Sequence, residues 1–278
     1  MKIDLHCHSY FSDGKHSPDF LIKRAIANRV THLAITDHDC ITTLDNSISL
    51  EPGLCLISGV EISCDWQARE IHVVGLCIDP QHRELLELLE RQRAARNARI
   101  LQMDAKLKAL GIDGLAEYCA ALPCQSATRS HVADFLVVQG HCKNRQKAFK
   151  NFLTTRGRIY VQYDWCDMAA AIAVIHTAGG LAVLAHPGRY SLSKHRLENL
   201  VDDFAAAGGD GLEASYGNID PVTKNKLCEM ASSKHLYVSA GSDFHDSEAH
   251  WTDIGKFPAL DQPANKNAIW EHPGWHSR

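Results

Sequence analysis

The 278-residue sequence has no apolar run approaching the roughly 18 residues of a membrane-spanning helix. Among its ten cysteines there is no C-x-x-C pair, which argues against a zinc or redox framework, and the chain is too long for a small disulfide scaffold. Cys55 and Cys77 fall in apolar, strand-like runs, so most cysteines are expected to be reduced, small core residues. A G-x-S-x-G elbow and a Walker loop are both missing. Cys124 and Arg129 are spaced C-x4-R, one residue short of a cysteine-phosphatase loop. The opening Met1-Lys2-Ile3-Asp4 is charged and polar at once, without signal-peptide character. Internal repeats and low-complexity segments are absent too. A soluble, cytoplasmic protein with no membrane contact and no obligate protein partner is the expectation.

What the chain does have is 45% hydrophobic residues, enough for a substantial core, and 17 histidines. Several of those histidines stand beside acids at the ends of apolar runs, and histidine is the commonest metal ligand. The net charge of -4 hides an asymmetry. Residues 91–160 carry 13 basic and four acidic side chains, and the remainder carries 16 and 29. A basic segment set into an acidic body suggests an anionic partner reaching the body through it. A solvated helical face is the competing explanation.

Strand and helix patterns alternate. Strands are expected at Ile3–His8, His32–Asp37, Leu54–Ser63, Glu70–Ile78, Leu181–Ala185, Gly211–Ser215 and Leu236–Ala240. Helices are expected from Ser17-Pro18 to Val30, from Gln81 to Leu110, from Asp167 to Thr177, over Lys194–Ala207 and from Asp220-Pro221. Ser17, Asp167 and Asp220 are good N-caps, and proline suits the first helical position. Residues 111–160 show helical patterns only, at Ser130–Gly140 and Asn144–Leu153. The fold class expected is α/β, with parallel strand–helix units closed or nearly closed as a barrel. Residues 1–98 and 161–278 would form the barrel, and residues 99–160 an inserted helical domain capping the substrate.

Candidate ligands gather at the strand ends. His6 and His8, two apart, share one face of a strand. Asp243 and His245 repeat that spacing after the last strand. Asp13, His38, Glu61, His72 and His186 each follow or end an apolar run. In α/β barrels the strands' C-terminal ends form the catalytic face. Nine nitrogen and oxygen ligands exceed what one metal needs, so two or three divalent ions are the natural reading. Asp37-x-Asp39 also looks like an aspartyl-phosphatase start, but the surrounding histidines fit metal binding better.

Six segments together carry a resemblance. They are Asp4-Leu5-His6-Cys7-His8 with Ser12-Asp13-Gly14, then Ile35-Thr36-Asp37-His38-Asp39, Gly59-Val60-Glu61-Ile62-Ser63, Ile71-His72-Val73-Val74-Gly75-Leu76, Ala185-His186-Pro187-Gly188-Arg189-Tyr190 and Gly241-Ser242-Asp243-Phe244-His245. In this order they resemble the motifs of the PHP (polymerase and histidinol phosphatase) family. With Arg96-Asn97-Ala98-Arg99 and Thr128-Arg129-Ser130-His131, the chain is similar to the TrpH-like branch of nucleoside 3′,5′-bisphosphate phosphatases and 5′→3′ exoribonucleases. The resemblance implies a distorted (β/α)7 barrel. It implies Mn2+ as the usual metal, with Zn2+, Fe2+ or Mg2+ as alternatives. The substrate implied is a nucleoside 3′,5′-bisphosphate or 5′-phosphorylated RNA.

In-line hydrolysis by activated water is the expected chemistry, with no covalent nucleophile. Asp243, His38 and His245 are the candidates for catalytic roles in contact with the scissile phosphate or its protons. Arg96 and Arg99 are one helical turn apart, and guanidinium suits phosphate recognition. With Asn97, Arg129, Ser130 and Arg189 they form the expected substrate-binding set. Tyr160, Trp165 and Tyr190 are candidates for base stacking or for core packing. A histidinol-phosphate-type phosphatase is the alternative enzyme. A non-catalytic RNA-binding or polymerase-associated module is the alternative of another class.

Overall fold

The computed structural model describes residues 1–42, 53–260 and 267–276. Its centre is a mixed eight-stranded sheet. In space β1 (Ile3–Asp4), β2 (His32–Ile35), β3 (Cys55–Trp66) and β4 (Arg69–Leu76) are followed by β6 (Leu181–Leu184), β7 (Gly211–Ser215) and β8 (Tyr237–Ala240), while the two-residue β5 (Cys166–Asp167) pairs with β3. Past the end of β1, Leu5 N–H donates to the Ala240 carbonyl and Cys7 bridges Phe244. First and last strands therefore meet, and the sheet is a nearly closed barrel. One apolar cluster takes Ile3, Ala34, Ile57, Val74, Val183 and Ala240 from six different strands, as a filled barrel interior requires. β6 and β7 are buried at every position; β6 accordingly reads as an unbroken apolar run, whereas β7 carries Glu213 and Ser215 within its buried length.

The strands are not uniformly parallel. β4 runs antiparallel to both β3 and β6. Only Gln67 and Ala68 separate β3 from β4, and a parallel crossover needs a dozen residues or more. Both take left-handed φ, 50° and 59°, as in the type I′ turn that fits the twist of a hairpin. Neither is the glycine or asparagine usual there, so the turn is silent in the sequence. β1 also stops at Asp4, short of the expected His8.

Capping residues act as expected. Ser17 Oγ accepts from Phe20 N–H at 3.2 Å to start α1 (Pro18–Ala27). α2 (Arg83–Lys108) is one continuous helix that leaves the barrel. It leads into α3 (Leu115–Ala120), α4 (Arg129–Val138) and α5 (Arg145–Ala148), which a π-helical turn over Phe149–Leu153 continues. Together they enclose a second apolar cluster that includes Met103, Leu115, Phe135, Leu136 and Leu153. The returning chain is laced to α2: Arg99 Nε donates to the Val161 carbonyl at 3.3 Å, and Cys166 N–H to Gln92 Oε1 at 3.0 Å. Asp167 and Asp220 then cap α6 (Met168–Thr177) and, after α7 (Lys194–Ala206), α8 (Pro221–Ser233). Cys7, Cys40, Cys64, Cys77, Cys119, Cys124, Cys142 and Cys166 are thiols outside any disulfide. Among the described residues no helix is long and apolar enough to cross a membrane.

Candidate active site

Strand ends supply most of the site. His6 and His8 follow β1, His38 follows β2, His186 follows β6, and Asp243 and His245 follow β8. Glu61 and His72 instead lie inside β3 and β4, because that hairpin runs on past the barrel rim. Two glycines make the close approach possible. A Cβ on Gly241 would stand 2.4 Å from His6 Cβ, and one on Gly14 would stand 2.1 Å from the His8 carbonyl oxygen. Asp39, His186 and Asp243 hold left-handed φ of 50°, 30° and 50°. Such backbone costs on the order of 1–3 kcal/mol per residue and persists where the surroundings enforce it.

All nine ligand candidates come together around Glu61. Its Oε1 lies 2.9 Å from both His72 Nδ1 and His186 Nε2. Its Oε2 lies 2.9 Å from His38 Nδ1, 3.3 Å from His8 Nε2 and 3.4 Å from His6 Nε2. Asp243 Oδ1 stands 3.2 Å from His8 Nε2 and 3.5 Å from His245 Nδ1. Asp13 Oδ1 faces His245 Nε2 at 3.3 Å and His38 Nε2 at 3.7 Å. These atoms fall into overlapping groups of three or four, each within cation-binding reach: His8, Asp13, His38 and His245; His6, Glu61 and His186; His6, His8 and Asp243; His38, Glu61 and His72.

The donor set fits divalent cations. Asp13 Oδ1, Glu61 Oε2 and His38 Nδ1 are buried without a hydrogen bond, although imidazole nitrogens and carboxylate oxygens face one another there within 4 Å. Buried polar atoms are otherwise almost always paired. His6 Nε2 and His8 Nε2 point at each other across 3.1 Å, an arrangement that a shared cation explains better than a shared proton. Protons substitute poorly here. Burial opposes charge on His6, yet Glu213 and Glu61 outweigh it and lift its pKa to about 10. Burial likewise opposes charge on His72, and Glu61 lifts it to about 9. For His186 burial wins and holds it at about 4. Imidazoles so close cannot all be charged, whereas oxygen and neutral nitrogen donors around metal ions can coexist.

Outside this set stand Glu213, which the sequence did not single out, and Asp37 and Tyr190, which it read in other roles. Glu213 accepts from His6 Nδ1 at 3.1 Å and from His186 N–H at 2.7 Å. That fixes the His6 tautomer and leaves Nε2 free for a cation. Asp37 takes the Ser9 and Ser12 hydroxyls at 2.6 Å each. Tyr190 OH accepts from His72 N–H at 2.9 Å and donates to the Ala185 carbonyl at 3.0 Å, so this tyrosine is a brace. The usable signal for Glu213 was a lone acid inside the wholly buried strand Gly211–Ser215. Glu213→Gln is expected to weaken metal affinity about 10- to 100-fold. Metal titration of the chelated protein checks this, and unaltered affinity would make Glu213 a packing residue only.

The substrate-binding candidates divide. Arg96 is buried and fully engaged: Nε donates to Asp39 Oδ2 at 2.8 Å, Nη2 to Ser63 Oγ at 2.7 Å and Nη1 to the Ala127 carbonyl at 3.3 Å. It also lies over the Trp165 ring, so Trp165 packs against arginine. Asn97 is exposed and lines neither large cleft. Arg96→Ala is expected to cost about 3–5 kcal/mol, because Asp39 would be left buried without its counter-charge, held only by Ser63 N–H and the Gln92 amide. Urea unfolding measures it. Wild-type stability with weakened substrate binding would return Arg96 to the substrate-binding set.

Arg99 is only 7% exposed, and its Nη2 has no partner. Burial pulls its pKa down to about 10. Arg129 pairs with Glu70 at 3.0 Å, and the same Glu70 oxygen lies 3.8 Å from Arg99. Arg189 reaches Asp243 through Nη1 and the Gly217 carbonyl through Nη2. A cleft of about 960 Å3 includes Ser130, Arg189, Asp243 and His245 in its wall. A second, of about 570 Å3, includes Arg69, Arg129, Arg189, Arg196, Tyr160 and Tyr163.

A nearly closed α/β barrel with a histidine–carboxylate centre at its rim defines a class of metal-binding proteins. The PHP-domain model matches residues 4–164. The 5′-3′ exoribonuclease Rnm of Escherichia coli is 41% identical over 96% of this chain and 92% of its own length. The 3′,5′-nucleoside bisphosphate phosphatase of Chromobacterium violaceum is 38% identical over 96% of this chain and 95% of its own. A structure described as an amidohydrolase from Chromobacterium violaceum, with bound sulfate and no metal, superposes with a TM-score of 0.86 at 35% identity, covering 98% of this chain and 95% of that one. Another, from Bifidobacterium adolescentis and called a metal-dependent phosphoesterase, gives 0.78 at 28% identity, covering 95% and 94%. The chain belongs to the PHP family.

Proposed function

We propose that this protein is a metal-dependent phosphoesterase. It removes the 3′-phosphate of nucleoside 3′,5′-bisphosphates and releases 5′-mononucleotides from 5′-phosphorylated RNA. The observation that carries this reading is the junction of the nine-ligand centre with guanidinium groups: Arg189 touches Asp243, and the unpartnered Arg99 Nη2 and Arg129 lie beyond His72 and Glu70. His6, His8, Asp13, His38, Glu61, His72, His186, Asp243 and His245 would hold two or three divalent ions, with Mn2+ the favoured identity. Bound metals of this kind acidify water and stabilise charge on phosphoryl oxygens. Arg189 orients the scissile phosphate beside Asp243. His38 and His245, at the edge of the centre, touch that phosphate, and Asp243 or one of them carries its protons. Arg99 and Arg129 hold the phosphate that is not cleaved. Residues 99–160 form the cap that brings these groups over the barrel made by residues 1–98 and 161–278.

The names of the similar proteins support the same substrates. Product analysis with a nucleoside 3′,5′-bisphosphate and a 5′-phosphorylated oligoribonucleotide tests the reading. Inorganic phosphate and 5′-mononucleotides are the expected products, and chelation should suppress both. Preferential turnover of histidinol phosphate would overturn the assignment, as would RNA binding without hydrolysis in the metal-loaded protein.

A further inference from the structure

The two clefts share Arg189, so they meet beside the ligand centre. They differ in chemistry. The smaller brings Arg69, Arg129, Arg189 and Arg196 against a single acid, Glu70, which suits the phosphorylated 5′ nucleotide. The larger sets Lys15 and Arg145 against Asp134, which pairs with both, and adds Asp220, Asp246 and Glu248 around Tyr216 and Trp251. Those carboxylates disfavour a phosphate but not the neutral face of a base.

Trp251 is 69% exposed and is the one aromatic among the exposed large apolar side chains described. Its loop is well held. Thr252 Oγ1 donates to the Ser242 carbonyl at 3.1 Å, beside Asp243. Ser247 N–H donates to His16 Nε2 at 3.2 Å, and Thr252 N–H to the Ala249 carbonyl at 3.1 Å. A solvent-facing indole is thus presented on a braced turn in the wall of the cleft that opens on Asp243 and His245. For a substrate whose 5′ nucleotide fills the arginine cleft and whose scissile phosphate lies at Arg189, this cleft, which shares Arg189 and includes Asp243 and His245, adjoins the scissile phosphate and can take the second nucleotide.

We infer that Trp251 is a stacking platform for the base on the 3′ side of the scissile phosphate in an RNA substrate. The inference rests on the function proposed above. A nucleoside bisphosphate ends at the scissile phosphate and carries no base for this platform. Stacking on an aromatic face tolerates every base, as stepwise release from an RNA end requires.

The test is the ratio of kcat/KM for a 5′-phosphorylated diribonucleotide over that for a nucleoside 3′,5′-bisphosphate. It is taken for wild type, Trp251→Ala and Trp251→Tyr, each with a thermal melt. Loss of one base–aromatic stack lowers the ratio about 5- to 150-fold in Trp251→Ala. Trp251→Tyr keeps a π-face and recovers most of it. An unchanged ratio in Trp251→Ala overturns the platform, and so does a loss that Trp251→Tyr does not repair. A wild type that cleaves the bisphosphate but not the dinucleotide also overturns it, while the phosphatase reading survives. A wild type that cleaves neither removes the proposed function and the platform together.

Discussion

Replacing Glu61 with glutamine is expected to cut turnover at least about a thousandfold and to lower the number of bound divalent ions. Glu61 touches five of the six histidines in the centre. Glutamine keeps its shape but loses the charge that offsets the cations and one of two ligating oxygens. The electrostatic contribution of a catalytic metal is several kcal/mol, and about 1.36 kcal/mol is tenfold in rate. His8→Ala and Asp243→Asn act on the same groups of ligands and should also abolish turnover while the chain stays folded. Elemental analysis, phosphate-release kinetics and thermal melts belong in one experiment. A folded Glu61→Gln protein with two or more metals and near-normal rates would remove Glu61 from the centre of the chemistry. A wild type that is fully active with one metal or fewer would overturn the reading of two or three ions.

The second large effect concerns the phosphate that stays. Arg129→Ala should lower kcat/KM on a nucleoside 3′,5′-bisphosphate roughly 10- to 150-fold. One charge-assisted hydrogen bond is on the order of 1.5–3 kcal/mol. A simple monophosphate ester lacks the second anchor, so its kcat/KM should hardly respond. Arg129 is well placed for this role. It is 35% exposed in the wall of the arginine-rich cleft, and its partner Glu70 also lies 3.9 Å from His72. An incoming phosphate would compete with Glu70 for both Arg129 and Arg99, next to the ligand centre. Added salt should weaken the preference where long-range attraction by the basic segment contributes. An unchanged bisphosphate-to-monophosphate ratio in Arg129→Ala would mean that this cleft does not read the second phosphate.

How far the sequence spoke depended on how local each signal was. His6-x-His8 and Asp243-x-His245 follow strands, and two-residue periodicity places each pair on one side, so the gathering of these side chains was legible. The β3–β4 hairpin was not, because Gln67-Ala68 carries none of the usual turn chemistry. Arg96 was legible as a residue one turn from Arg99. Its partner Asp39, 57 positions away, was not, and that distant carboxylate occupies the guanidinium. Glu213 shows the same limit. Its neighbour His6 is 207 residues distant in sequence, and only closure of the barrel brings them together.

α2 carries one more consequence. At about 1.5 Å per residue its 26 residues extend about 39 Å, from the barrel into the helical layer without a break. Arg96 pins the helix to Asp39 on the barrel and to Ala127 just before α4. Thr128 Oγ1 ties the start of α4 to Asp13 Oδ2 at 3.0 Å. A swinging lid needs a few residues free to absorb a turn of the backbone, and here both crossings are stitched. The two apolar clusters are therefore tied together at α2 and at the start of α4. Heat or denaturant would meet a single cooperative unit, and the clefts beside Arg189 would keep their width while substrates come and go.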